Sequence, residues 1–416
     1  MNRRSTLSAL LFLLLSAVVG GGASSHLPAY LTRPVLTDAE FQEAYAATVA
    51  AAAQRGVVLA PAVEYRRGRW GAAYFATERI AASTSLITVP LDVSFEFADV
   101  RRRFPDLDEW SAHVQVNGDR SLYALALALP DPATQLRPLV TWMSPRACVN
   151  TVTFAGKVMR DAKLAAPVLR QLSQTLRGRA ASDYARLQQH APHHLGNLSR
   201  ADYRLAYCWF ETRSFGPRAG VEGSASLLPV ADLPNHAQVN APMSWTYDES
   251  RAAWVFYATR DIEAGEEIMC SYGDDKTSEQ LLVSYGFATR DNANDVFNVP
   301  VESALLRSTA WLQATQAEPH FRADDEWRRL LDAARVDFNQ TLRDLTVACD
   351  RRVAAIDSHV HHCNAALATN RDPSPQIPGT LHALLSFYDA ERVVIVQSCE
   401  GLKRALILSD EHFRRK

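Results

Sequence analysis

No two of this chain's six cysteines stand in a C-x-x-C pair, which argues against a zinc cluster. Neither acidic nor basic residues are in marked excess. Lys and Arg number 44 and Asp and Glu 46, leaving a formal net charge of -2, so no overall basic field draws the protein to nucleic acid. The run Arg101-Arg102-Arg103 is local and reads as a solvated helix face. Beyond residue 24 no stretch is long and apolar enough for a bilayer crossing, so no stable membrane span is expected. No internal repeat is evident. No metal site is expected either: His359, His361, His362 and Cys363 lie in a helical pattern that spreads them around the axis, and no carboxylate frames them.

Hydrophobic residues make up 47% of the 416 and charged ones 22%, a globular balance in a chain long enough for more than one core. Residues 1–23 read as a targeting segment. Arg3 and Arg4 precede an apolar run, and Gly21-x-Ala23 offers small residues for cleavage. A signal peptide into the secretory pathway, with a lumenal or extracellular protein, is expected; the alternative is a bipartite organelle presequence. An even number of cysteines behind such a segment permits disulfides without fixing any pairing.

Residues 37–54 read as a helix, with Thr37 and Glu40 placed as in a capping box. Residues 57–63 and 70–89 change to β-rich alternation. Residues 100–207 are mostly helical and look like an insert in a β domain. Strand character returns at 226–230, 254–257 and 267–271, with loop and hairpin between the first two. A helix over 277–285 is closed by Gly286. Beyond 291, helical periodicity is read over 301–314, 327–348, 351–368 and 392–408. The expected organisation is therefore an α+β domain over 55–290, split by an insert at about 100–207, followed by a helical domain over 295–416. A monomer is expected.

Chemistry concentrates between Leu228 and Phe287. LPVADLPNHAQ carries Asn235-His236, a strand-like block ends in Tyr272-Gly273, and the next helix ends in Tyr285-Gly286-Phe287. Arg213 stands upstream in ETRSF, and Gly68-Arg69-Trp70-Gly71 forms a glycine turn before the first strands. Glu266-Glu267 and Asp274-Asp275 flank Tyr272. Adjacent strand positions face opposite ways, so these read as surface turns rather than acid–base pairs.

In this order the residues resemble the SET-domain protein methyltransferases, in the branch typified by the Rubisco large-subunit and actin-histidine methyltransferases. The resemblance implies a SET β-fold split by a helical insert and followed by an all-α substrate-binding domain. It also implies a segment bearing Asn-His threaded beside the final strand. By the same resemblance the cofactor is S-adenosylmethionine. Trp70, Gly71, Arg213, Asn235, His236 and Phe287 bind it, while Tyr272 and Tyr285 are catalytic. Methyl transfer needs a lone pair in line with a sulfonium methyl, so positioning and electrostatics carry the rate. The implied partner is a protein presenting a lysine. Phe215 occupies a position where the histidine-directed relative has asparagine, and an apolar wall there suits a lysine stem. Histidine as acceptor, or a non-catalytic SET-fold binding module, are the alternatives. The chain departs from the family in the insert, where no clear Leu-Pro pair is found and Trp142 stands among 138–145.

Overall fold

The computed structural model describes residues 38–68, 71–106, 124–126, 148, 150–153, 167–216, 225–289, 292–303, 308–315, 332, 337–370 and 376–414. The targeting segment 1–23, Thr37, Trp70 and Trp142 lie outside the described residues. Helix α1 (Asp38–Ala53) leads into β1 (Val58–Leu59), β2 (Val63–Gly68), β3 (Gly71–Ala76) and β4 (Ser85–Pro90). Later strands are β5 (Ser214–Phe215), β6 (Ser226–Leu227), β7 (Met243–Asp248), β8 (Ala253–Ala258) and β9 (Glu267–Ile268). They form antiparallel sheets in the orders β1-β4-β8-β7 and β2-β3-β9, with β5-β6 as a separate pair. Alternation explains β8: Trp254, Phe256 and Ala258 are buried while Val255 and Tyr257 are half-buried. Together with Tyr65, Tyr74, Leu86, Ile87, Leu228 and Ile268 they form a β core, closed on one side by Tyr45 and Ala52 of α1.

Between β4 and β5 the chain makes α2 (Phe97–Arg103), α3 (Pro167–His190), α4 (Pro192–Leu195) and α5 (Arg200–Arg213). The arginine run is the last turn of α2, where positive charge suits the helix dipole, and Arg102 pairs with Asp99. After β9 comes α6 (Ser278–Tyr285), and the chain ends in the long antiparallel partners α7 (Phe338–Thr369) and α8 (Gln376–Arg414). Residues from α3, α5, α6, α7 and α8 share a second core, including Leu176, Tyr207, Leu282, Leu345 and Phe387. The insert and the C-terminal helices thus bury against one another. On α7, Cys363 is buried, His361 and His362 are exposed, and His359 stacks on Tyr388. Disulfides join Cys148 to Cys208 of α5 and Cys349 of α7 to Cys399 of α8. Cys270 and Cys363 are buried free thiols.

One expected helix is corrected. Within 301–314 the described residues, 301–303 and 308–314, lie in paired strands β10 (Val296–Ser303) and β11 (Ser308–Thr315), in register from Val296↔Thr315 to Ser303↔Ser308. The apolar residues that decide it are Phe297, Val299 and Val301, each buried. They recur every second position, which a strand can bury on one face and a helix cannot. The expected strand 267–271 is also shorter, since only Glu267 and Ile268 form β9. No helix among the described residues is long and apolar enough to cross a membrane.

Candidate active site

Two crossings of the chain bring the site together. Past β9 the backbone runs parallel to the Asn-His turn, with Cys270 bridging His236 and Met243. The Cys270 N–H donates to the Asn235 carbonyl at 2.9 Å, and the Ala237 N–H to the Cys270 carbonyl at 3.0 Å. His236 and Tyr272 become neighbours although 36 positions separate them. The second crossing is α6, whose last residue is Tyr285.

The sequence of α6 explains its ends. Thr277 accepts from the Gln280 N–H, and the Gln280 side chain accepts from the Thr277 N–H, a reciprocal capping box. Gly286 adopts φ 79°, the left-handed region open to glycine, and its N–H closes the helix on Leu281 and Leu282. The next carbonyls are taken by the insert: Asn150 Nδ2 donates to Ser284 O and Thr151 Oγ1 to Val283 O, both at 2.9 Å. Tyr285 therefore sits on a helix end held from both sides.

Four rings gather where these elements meet. Tyr272 lies 4.8 Å from Tyr285, 5.2 Å from His236 and 6.1 Å from Phe287, between centroids. Phe287 is 5.7 Å from His236 and 6.3 Å from Tyr285. All four are half-buried. The Tyr272 hydroxyl donates to the Pro234 carbonyl at 2.8 Å. Burial holds its pKa well above the ordinary phenol value, and the nearby Cys270, itself pushed up to about 12 by burial, adds to this. Tyr272 is thus a neutral phenol whose oxygen still offers lone pairs. His236 accepts the Tyr272 N–H at Nδ1 (3.0 Å), so its proton is on Nε2, which donates to Gln238 Oε1 at 2.9 Å. Burial lowers its pKa, the Gln238 hydrogen bond opposing, so the ring is neutral.

A cleft of about 1140 Å³ opens beside the tyrosines. Arg213, Phe215, Trp245, Tyr272 and Tyr285 line it, with Asp274 and Asp275 also on its wall. Asn235, His236 and Phe287 are not on that wall; His236 and Phe287 reach it through ring contacts with the two tyrosines. Phe215 meets Trp245 and Phe256 edge-on, at 5.6 and 5.3 Å. Arg213 is anchored through NH1 on the Asp232 carbonyl at 2.6 Å and, more loosely, its carboxylate at 3.4 Å. Its Nε is buried with no hydrogen-bond partner among the described residues. A buried guanidinium N–H of this kind fits an anionic group.

Glu267 is the site residue that sequence reasoning missed. The sequence suggests a surface turn there, yet its Oε1 accepts from Asn235 Nδ2 at 2.7 Å. Alternation along the strand could have found it, because that turns Glu267 away from Glu266, which bonds Arg260 instead. Gly71 pairs with Gly68 across the β2-β3 hairpin. A Cβ on Gly68 would lie 2.9 Å from the Phe75 ring and 3.4 Å from Glu267 Oε2. The hairpin end therefore lies next to the carboxylate that holds Asn235.

Residues 71–273 match the family model of the SET domain. The chain is 36% identical over 73 residues to SET domain-containing protein 8 of Schizosaccharomyces pombe, 18% of this chain and 16% of that protein. It is 33% identical over 66 residues to Protein SET DOMAIN GROUP 40 of Arabidopsis thaliana, 16% of this chain and 13% of that one. The matches thus span less than a fifth of those relatives. Similar folds are the SET domain of LSMT bound to lysine and AdoHcy (TM-score 0.57, 12% identity, 88% of this chain and 92% of that chain), and Rubisco LSMT bound to AdoMet (TM-score 0.58, 12% identity, 87% and 93%). At such identity the likeness establishes architecture, over 87–88% of this chain.

Proposed function

Because the chain carries a SET domain in the architecture of Rubisco LSMT, we propose that it is an S-adenosylmethionine-dependent protein methyltransferase acting on lysine. The observation that carries this reading is the meeting of Asn235-His236, Tyr272, Tyr285 and Phe287 beside one cleft. These residues come from separate stretches of sequence. Ordinary core packing does not require two tyrosines and a neutral histidine to share a half-buried cluster.

In this reading Arg213, Asn235, His236 and Phe287 hold the donor, with the hairpin end at Gly71 beside them. The bound donor supplies an electrophilic sulfonium methyl and a positive charge. Arg213 offers its buried Nε–H to a carboxylate, and Phe287 offers a ring face. The neutral imidazole of His236 fixes the Tyr272 backbone. With its proton committed to Pro234, the Tyr272 oxygen acts as an acceptor that orients an amine or a polarised methyl group. It does not serve as a base. A lysine amine, whose ordinary pKa is about 10.4, must arrive deprotonated or lose its proton on entering the cleft. Burial there favours the neutral amine. Phe215 and Trp245 give the cleft an apolar wall suited to an aliphatic stem.

Histidine remains the competing acceptor, and Phe215 is what favours lysine. Methyl-labelled S-adenosylmethionine, supplied with the full chain to a lysate of the source organism, is expected to label a protein on lysine, as read by mass spectrometry. Tyr272→Phe should abolish most of that labelling. Label on histidine would overturn the acceptor, and equal labelling by Tyr272→Phe would overturn the role of the tyrosine.

A further inference from the structure

The start of the insert lies beside the turn between its helices α3 and α5, and there, among the described residues, a side-chain cluster outside the cleft has the make-up of a metal site. Asp106 follows α2, where the chain leaves the β domain. His193 and His194 lie on α4, between α3 and α5. His193 Nε2 is 3.2 Å from Asp106 Oδ2, and His194 Nε2 is 2.9 and 2.8 Å from the two carboxylate oxygens. The ligand-type atoms of all three residues lie within 4.8 Å of one another. In a tetrahedral zinc site, bonds of about 2.0–2.2 Å put neighbouring ligand atoms roughly 3.3 Å apart. Both imidazoles already present Nε2 at close to that separation from the carboxylate.

The cluster is also positioned from outside. Pro192 starts the single turn of α4 and fixes its backbone. The edge of the Phe104 ring packs on His194 at 5.1 Å, and the His194 side chain is only 18% accessible. Asp106 and His193 are about half exposed or more, so an ion could enter without the fold opening. No local motif announces the site, since 87 and 88 residues separate the carboxylate from the imidazoles.

We propose that Asp106, His193 and His194 bind a divalent transition-metal ion of the zinc class, clipping the entry of the helical insert to the turn before its last helix. Two imidazole nitrogens and one carboxylate oxygen supply three ligands, and water supplies the fourth. Each imidazole binds through an Nε2 lone pair, so its single proton moves to Nδ1. The bound ion holds a loop of some 87 residues closed, which favours the folded state.

The test is a titration of the full chain with Zn2+ after chelator treatment and dialysis. The wild type is expected to take up one Zn2+ per chain, with a Tm that rises on addition. His194→Ala and Asp106→Asn should each weaken uptake by more than about 100-fold, beyond the roughly 10–100-fold scale on which outer partners of metal sites act. Circular dichroism checks that both variants fold. His361→Ala/His362→Ala, on exposed positions of α7, should bind as the wild type does. Stoichiometric uptake that survives His193→Ala/His194→Ala, or that disappears with His361 and His362, would overturn the proposal. So would a wild type that takes up no Zn2+, which would leave a hydrogen-bonded His–Asp cluster only.

Discussion

His236 holds two groups in register, taking the Tyr272 N–H on one nitrogen and giving its proton to Gln238 from the other. Its folded pKa is depressed below 6.5 by burial. The unfolded chain therefore takes up that proton first as pH falls, so the stability this residue contributes is present above about 6.5 and declines below it. We expect the Tm of His236→Gln, measured against the wild type, to rise from pH 7 to pH 5.5 in a calorimetric scan. At Phe215, exchange to Asn should move acceptor preference from lysine towards histidine peptides by at least severalfold in kcat/KM; an unchanged preference would remove the case for lysine at that position. The order of Arg213, Asn235, His236, Tyr272, Tyr285 and Phe287 was legible because each sits in a short signature. What those residues bond to was not. Arg213 and Asp232 are 19 residues apart, Asn235 and Glu267 are 32 apart, and only the fold brings them into contact.

Helix α6 is the element whose ends were written most plainly in the sequence. Thr277, Gln280 and Gly286 carry local instructions for starting and stopping a helix, and the structure uses all three. Thr277→Ala should lower stability by about 1 kcal/mol in a denaturant titration. Its support from Asn150 was invisible, because that contact spans 134 residues. Asn150→Ala leaves the Ser284 carbonyl without that donor, at a cost of about 1–3 kcal/mol. It should lower kcat through Tyr285 more than it weakens donor binding. The hairpin of β10 and β11 shows the opposite case. Its apolar residues admit a helical reading over 301–314, and pairing with a partner strand decides the outcome.

Across the whole molecule, the cleft lies at the seam of two cores. Tyr272 packs against the β core, while Leu282 and Val283 of α6 belong to the helical one. The sequence showed both compositions, but not that the insert and C-terminal helices share a single interior. Glu279 marks that junction: burial, then the charges of Glu391 and Asp295, push its pKa up to about 8, with Arg352 opposing. An unfolded carboxyl titrates near 4.5, so the folded state keeps the proton longer. Its stabilising contribution is full below about 4.5 and is lost as pH rises towards 8. Glu279→Gln should therefore raise Tm by a few degrees at pH 8 and much less at pH 5. The central claim is that these two cores build a donor site, and isothermal calorimetry of the purified chain with S-adenosylmethionine tests it most directly. The account predicts saturable one-to-one binding that Asn235→Ala weakens about tenfold or more and Tyr272→Phe retains; no binding to the wild type at millimolar donor would contradict it.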